Sequence, residues 1–230
     1  MTQPRLPVVL TDIEGTTSSI DYVHGVMFPY ARKHLLAFIE GNHWQPEVRA
    51  ALDAVAAASA LPPDELDALG EVLLAWIDED RKATPLKDLQ GMIWKAGFAS
   101  GELRAHIYPD AAAMLGQWHA AGHPIHVYSS GSKAAQKLYF GHTEAGDLTP
   151  LLSGYFDTTS GPKREADSYR RIAQAIGHPP QDIVFLSDIE AEIAAADAAG
   201  LRTVWITRDA RPDHATRPTV TSFKAIDLGT

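Results

Sequence analysis

Four short polar stretches of this chain carry residue types that together could perform phosphoryl chemistry. They are Asp12-Ile13-Glu14-Gly15-Thr16-Thr17, Ser129-Ser130-Gly131-Ser132, Gly161-Pro162-Lys163-Arg164 and Ser187-Asp188-Ile189-Glu190. A carboxylate such as Asp12 can attack phosphorus and form an aspartyl-phosphate, which divides one difficult hydrolysis into two easier steps. Carboxylate and phosphate dianion repel, so the attack needs dense positive charge nearby. Mg²⁺ suits that need, because it takes one or two carboxylates and leaves its other positions to water and substrate oxygens. Asp12 and Asp188 are the candidate ligands. Glu14 follows Asp12 closely enough to face the same cleft. Its carboxyl or its backbone carbonyl would serve metal binding, or its carboxyl would pass a proton to the leaving oxygen. Lys163 supplies a cation to steady the nucleophile and the transferring group. Ser129, Ser130 and the amides around Gly131, at a helix start, would hold phosphate oxygens.

These groups can act together only if the fold brings distant segments to one place. The runs 6–11, 124–129, 182–187 and 202–207 are short and rich in Val, Ile and aromatics. They read as buried parallel strands, the first three leading directly into polar groups. A further short strand is expected at 154–157. Helical patterns at 110–121, 132–139, 165–176 and 190–199 alternate with the strands, and Gly122, Gly177 and Gly200 stand where C-terminal helix caps belong. The alternation predicts a doubly wound α/β sheet whose strand ends emerge along one edge. Residues 20–105 break the pattern. They read as four or five amphipathic helices, among them 46–58 and 63–81, inserted as a cap over that edge. The expected division is an α/β core of 1–19 and 106–230 with a helical cap of 20–105.

The bulk properties agree with an enzyme acting on a small molecule. The 230 residues are 45% hydrophobic, enough for a sizeable core. A formal net charge of −9 argues against nucleic acid or an anionic membrane as the main partner. A metal and a few local cations can still reverse the field within a pocket. The absence of cysteine excludes disulfides, thiol nucleophiles and thiolate metal sites. The opening residues lack the apolar stretch and cleavage site of a secretory signal. No segment approaches the ~20 apolar residues that span a bilayer. A cytoplasmic protein is the expectation.

The combination of Asp-x-Glu-Gly-Thr, the Ser-Ser-Gly-Ser loop, a later Lys and Ser-Asp-x-x-x-Glu resembles the haloacid-dehalogenase-like phosphatases. Glutamate at position 14, where most of that superfamily has aspartate, is similar to the enolase-phosphatases (acireductone synthases) of methionine salvage. Gln136-Lys137-Leu138-Tyr139-Phe140-Gly141-His142 and the stretch from Tyr155 to Tyr169 point the same way. The resemblance covers residues 8 to about 207. It implies conversion of 2,3-diketo-5-methylthiopentyl-1-phosphate to the acireductone 1,2-dihydroxy-3-keto-5-methylthiopentene, by enolisation and then phosphate removal, with Mg²⁺ and in a monomer. Asp12, Glu14 and Asp188 correspond to its metal positions, and Ser129, Ser130 and Lys163 to its substrate positions. Glu14 is the chosen base for the enolisation. The competing readings are another capped Mg²⁺-dependent phosphatase or phosphomutase, and a catalytically silent module on the same fold. The last would be expected to have lost Asp12, Lys163 or Asp188.

Other residues invite plainer readings. Glu190 and Glu192 read as an acidic helix start favoured by the helix dipole. None of the ten histidines has HExxH or similar spacing, so His24, His34 and His142 are expected to be structural or exposed. Trp76, Trp94 and Phe98 are expected in the cap core, with Trp94 or Phe28 the alternative choice for an apolar wall against the substrate tail. Gly15 and Gly131 are assigned to tight turns that need glycine's backbone freedom. The tail from Arg208 onward, with a possible strand at 219–223, carries no chemistry that the residues assign.

Overall fold

The computed structural model describes residues 6–79, 81–209, 215 and 217–229. The chain divides into two compact units, one built from the segment up to Ile20 and from Ala105 onward, the other from Asp21–Arg104. Among the described residues no helix is long and apolar enough to cross a membrane.

The first unit is an α/β sandwich. Its strands are β1 (Val8–Thr11), β2 (Ile125–Tyr128), β3 (Gly154–Phe156), β4 (Ile183–Ser187), β5 (Arg202–Ile206) and β6 (Thr219–Val220). They form one sheet in the order β3-β2-β1-β4-β5-β6, every neighbouring pair parallel. The two central strands β1 and β4 are buried along their whole length, as a parallel sheet covered on both faces requires. Alternation sets the two cores. Val8 and Leu10 of β1 join Ile183 and Phe185 of β4 in one cluster, and Val9, Val184 and Leu186 are buried on the opposite face.

The second unit is all-helical among its described residues, and its helices come first in chain order. A helical turn at Ile20–Tyr22 passes through a π-helical stretch, Val23–Met27, into α1 (Phe28–Asn42). Then follow α2 (Pro46–Ser59), α3 (Leu66–Asp78) and α4 (Thr84–Ser100). Three of the four carry proline in the first turn, where its missing N–H costs nothing. Ala31, Leu35 and Ile39 of α1, Val48, Leu52 and Val55 of α2, Leu69, Leu73 and Trp76 of α3 and Leu86, Leu89 and Ile93 of α4 recur at helical spacing. They pack into one apolar core.

Back in the sheet unit, α5 (Pro109–Ala120), α6 (Lys133–Gly141), α7 (Ala166–Ile176) and α8 (Glu190–Ala198) connect the strands. The expected cap glycines 122, 177 and 200 all lie in the left-handed region, at φ 91, 78 and 89°. The strand expected at 219–223 stops after Val220, because the Ser222 hydroxyl caps a 3₁₀ turn over Phe223–Ala225.

Candidate active site

The sheet register sets Thr11 beside Val127 of β2 and Leu186 of β4, so the polar groups that follow these strands leave the sheet along one edge. Asp12 is fixed by its own N–H, which donates to the Leu186 carbonyl at 2.9 Å. Its side chain is buried, 6% exposed, and both oxygens are engaged. Oδ1 accepts the Ile13 N–H at 2.7 Å, and Oδ2 lies 2.7 Å from Lys163 Nζ. Lys163 Nζ lies equally close, 2.7 Å, to Glu192 Oε2, which also accepts the Ser187 hydroxyl at 2.9 Å. Burial works to lower the Lys163 pKa, but the charges of Asp12 and Glu192 outweigh it and hold the ammonium above its ordinary value. Burial, reinforced by Asp12, pushes the Glu192 carboxyl up.

Glu192 does stand in the acidic first turn of α8, and it does more than answer the helix dipole. It is 7% exposed and forms the second wall of the lysine's socket. Its place in Ser187-x-x-x-x-Glu192, one helical turn beyond a strand end, was the available signal.

Asp188 is the least compensated charge of the group. Burial first, and then the neighbouring Asp12 carboxylate, push its pKa up to about 7. Among the described residues no cation forms an ion pair with it. Its backbone is anchored at both ends. The N–H donates to Thr16 Oγ1 at 3.1 Å, and the carbonyl accepts Trp205 Nε1 at 2.9 Å. Gly15 makes room for it. A Cβ there would sit 2.1 Å from Asp188 Oδ2, and the backbone is at φ +69°, so glycine is required twice over. Two adjoining, half-compensated carboxylates form an oxygen-only donor set that fits a hard divalent cation. No three His, Asp or Glu side chains gather as a ready ligand group among the described residues.

The loop after β2 is tied down from behind. Ser129 is buried, its N–H donating to the Phe156 carbonyl at 3.2 Å and its hydroxyl accepting the Gly131 N–H at 3.2 Å. Ser130 is exposed. Ser132 caps α6 through the Ala135 N–H. Buried Gln136 spans the loop, its amide donating to the carbonyls of Gly131 and Phe156 at 2.8 Å each. Gly131 has no left-handed backbone, and a Cβ there would meet Ser129 Oγ at an ordinary 3.7 Å. The turn-freedom explanation holds for Gly15 and not for Gly131.

Lys163 is positioned by its backbone. The Tyr169 hydroxyl donates to the Lys163 carbonyl at 2.6 Å, Ser168 to the Pro162 carbonyl at 2.7 Å and Tyr128 to the Gly161 carbonyl at 2.8 Å. Three hydroxyls on three consecutive carbonyls account for the stretch leading to Tyr169. Of the remaining sequence candidates, Trp76 and Phe98 are buried. Trp94 is half-buried, bonded to the Met27 carbonyl and edge-on to Phe28. His142 bonds the Leu138 carbonyl through Nδ1.

The tail does contribute to the site's surroundings. Arg208, just past β5, donates through Nε to the Thr16 carbonyl at 2.9 Å, and Nη2 reaches the same oxygen. Nη1 spans both oxygens of Asp110, at 3.0 and 2.8 Å. Burial opposes ionisation of Asp110, but bonds from Ser222, the Phe223 N–H and Arg208 hold its carboxyl below the usual range.

A parallel sheet with a buried Asp–Lys–Glu chain and a second aspartate on one edge defines a hydrolase class. Residues 6–200 match the model of the haloacid dehalogenase-like hydrolases, and the chain belongs to that family. Enolase-phosphatase E1 of Pseudomonas fluorescens (strain Pf0-1) is 55% identical over 222 residues, 96% of this chain and 97% of that protein. Enolase-phosphatase E1 of Stenotrophomonas maltophilia (strain K279a) is 59% identical over 207 residues, 90% of this chain and 88% of that one. The crystal structure of the UTR4 protein of Saccharomyces cerevisiae superimposes with a TM-score of 0.82 at 30% identity, covering 96% of this chain and 100% of the other.

Proposed function

We propose that the chain is an enolase-phosphatase of methionine salvage, converting 2,3-diketo-5-methylthiopentyl-1-phosphate to acireductone and phosphate. The observation that carries the chemistry is the buried Asp12 carboxylate, held 2.7 Å from Lys163, whose charge raises the pKa of an Asp188 with no ion-pair partner among the described residues. The substrate follows from the identity with the named relatives over nearly the whole chain.

Asp12 attacks phosphorus, forming an O–P bond as the substrate's ester P–O bond breaks, and the leaving oxygen takes up a proton. Water then attacks the aspartyl-phosphate, releasing phosphate and restoring Asp12. Lys163 orients Asp12 and stabilises the charge of the transferring group, while Glu192 keeps the lysine charged. Ser129, Ser130 and the amides near Gly131 hold phosphate oxygens. Glu14 is assigned proton transfer, as base in the enolisation and as acid toward the leaving oxygen. Held by Asp12, Asp188 and the Glu14 carbonyl, Mg²⁺ would supply the positive charge that offsets phosphate–carboxylate repulsion and acidifies the dicarbonyl. In this reading Asp21–Arg104 is the cap domain, and the enzyme works as a cytoplasmic monomer on a small phosphorylated diketone, with neither nucleic acid nor membrane as partner.

The test incubates the protein with the diketone phosphate, with and without Mg²⁺, following enol absorbance and free phosphate together. The expected result is Mg²⁺-dependent absorbance followed by phosphate release, the latter lost in Asp12→Asn. Phosphate release from generic esters with an inert diketone would overturn the substrate and favour another capped phosphatase.

A further inference from the structure

Arg208 is a long way from the nucleophile in sequence, yet its guanidinium is bound to the turn that carries it. Two of its donors converge on the Thr16 carbonyl while Nη1 bridges both Asp110 oxygens. The ion pair is largely buried, with side chains 9% and 17% exposed. The guanidinium also lies over the Tyr108 ring at 4.0 Å and near Phe223 at 5.0 Å. Asp110 is itself held by the Ser222 hydroxyl at 2.7 Å and the Phe223 N–H at 2.8 Å.

The link continues to the site. Thr16 follows the left-handed Gly15, and its hydroxyl accepts the Asp188 N–H at 3.1 Å and lies 3.4 Å from Asp188 Oδ1. Fixing the Thr16 carbonyl fixes the peptide that aims this hydroxyl. On the other side, the Thr17 hydroxyl donates to the Asp12 carbonyl at 3.1 Å. The turn therefore joins Asp12 to Asp188, and Arg208 sets its orientation. A simple tie between the C-terminal segment and α5 would need only Asp110, Ser222 and a cation. It would not need two guanidinium donors on one carbonyl of the nucleophile's turn.

We propose that Arg208, locked by Asp110, is a positioning residue that holds the 12–17 turn so that Asp12 and Asp188 keep the arrangement a divalent cation and a phosphate need. The proposal rests on the phosphatase reading. Lysine cannot replace arginine here, since one ammonium cannot span a carboxylate and grip a carbonyl with a planar fork.

The experiment measures Mg²⁺ binding by calorimetry without substrate, kcat and KM with substrate, and the melting temperature, for wild type, Arg208→Lys, Asp110→Asn and Ser222→Ala. Arg208→Lys is expected to weaken Mg²⁺ binding and lower kcat by about 10–100-fold, with KM moving less than about threefold. Asp110→Asn is expected to follow in the same direction, and Ser222→Ala, which keeps the ion pair, by about two- to threefold. Unchanged Mg²⁺ affinity and kcat in folded Arg208→Lys would overturn the proposal, however far the melting temperature falls. Should that variant not fold, unchanged values in both Asp110→Asn and Ser222→Ala would overturn it equally. A wild type that binds no Mg²⁺ and hydrolyses no phosphate ester would overturn the phosphatase reading itself, an outcome separate from a normal wild type with indifferent variants.

Discussion

The two units bury different kinds of residue. In Asp21–Arg104 the described core is almost wholly apolar, and Gln90 is the one buried polar residue among those described. The sheet unit buries Thr11, Asp12, Thr16, Thr17, Ser18, Ser129, Gln136, Asp157, Ser168, Ser187 and Glu192, nearly all at or just beyond strand ends. Buried polar groups cost stability unless each finds its partner. The sheet unit accepts that cost along one edge, where Lys163 and Arg208 each stand between groups from different segments. The described helical unit has no such edge; its polar pairs, such as Arg32–Asp78, lie at the surface, and its core is held by apolar packing. Chemistry and stability are therefore separable here, and substitutions can show it.

The largest separation is expected at Asp12. Asp12→Asn removes the proposed nucleophile and should lower kcat by at least about 10⁴-fold. It also removes a charge that repels Asp188 and Glu192, so the melting temperature should not fall. A stability loss as large as the activity loss would mean that Asp12 is a structural member of the edge. Lys163→Met should damage both properties. It leaves Asp12 and Glu192 buried without their shared cation, which costs about 3–5 kcal/mol of unfolding free energy. Urea unfolding of the two variants side by side measures the contrast.

The opposite separation is expected in the helical unit. Leu73 is fully buried among the helices, and Leu73→Ala should cost about 2–5 kcal/mol through lost contacts and the cavity left behind. At a temperature where the variant is folded, kcat should stay within about threefold of wild type, since no polar network is disturbed. A kcat that falls in proportion to stability would join the two units energetically and break the comparison.

How much could be seen beforehand follows the same division. The sheet strands were legible because Val8–Thr11 and Ile183–Ser187 are buried on both faces and so read as unbroken apolar runs. The helices were legible because Leu69, Leu73 and Trp76 repeat at helical spacing. The placement of Asp12 and Asp188 was legible because each directly follows a strand, and Lys163 stood out through Gly161-Pro162 before it. Arg208, Asp110 and Gln136 were not. Each acts through a backbone carbonyl or a partner far along the chain, and a carbonyl has no signature in sequence. Glu192 was legible as part of an acidic helix start and of Ser-Asp-x-x-x-Glu, but its pairing with Lys163 joins distant segments and is seen only in the fold. Ser130, next to a buried serine, carries no local mark that it would be exposed.

The smallest expected effect concerns a buried group the chemistry does not use. His126 on β2 has an Nδ1 that is buried without a hydrogen-bond partner among the described residues. A Cβ at Gly154 would lie 2.8 Å from that nitrogen, which explains glycine on the neighbouring strand. Burial, and then His178, push the His126 pKa down to about 4. As pH falls below the ordinary histidine value of about 6.5, the unfolded chain takes up a proton that the folded one refuses. Stability present at neutral pH is lost between about 6.5 and 4, by roughly 1–2 kcal/mol after allowing for partial solvent contact. Asp188, raised to about 7, and Glu192, also raised, act in the opposite sense, because the native state takes the proton first. The difference between wild type and His126→Gln, measured by urea unfolding at pH 7 and pH 5, isolates the histidine. A smaller loss in the variant would assign this acid sensitivity to the sheet unit, whose buried polar groups set it apart from the helices. An identical loss in both would shift it away from His126, and the comparison would then rest on the strand-end charges alone.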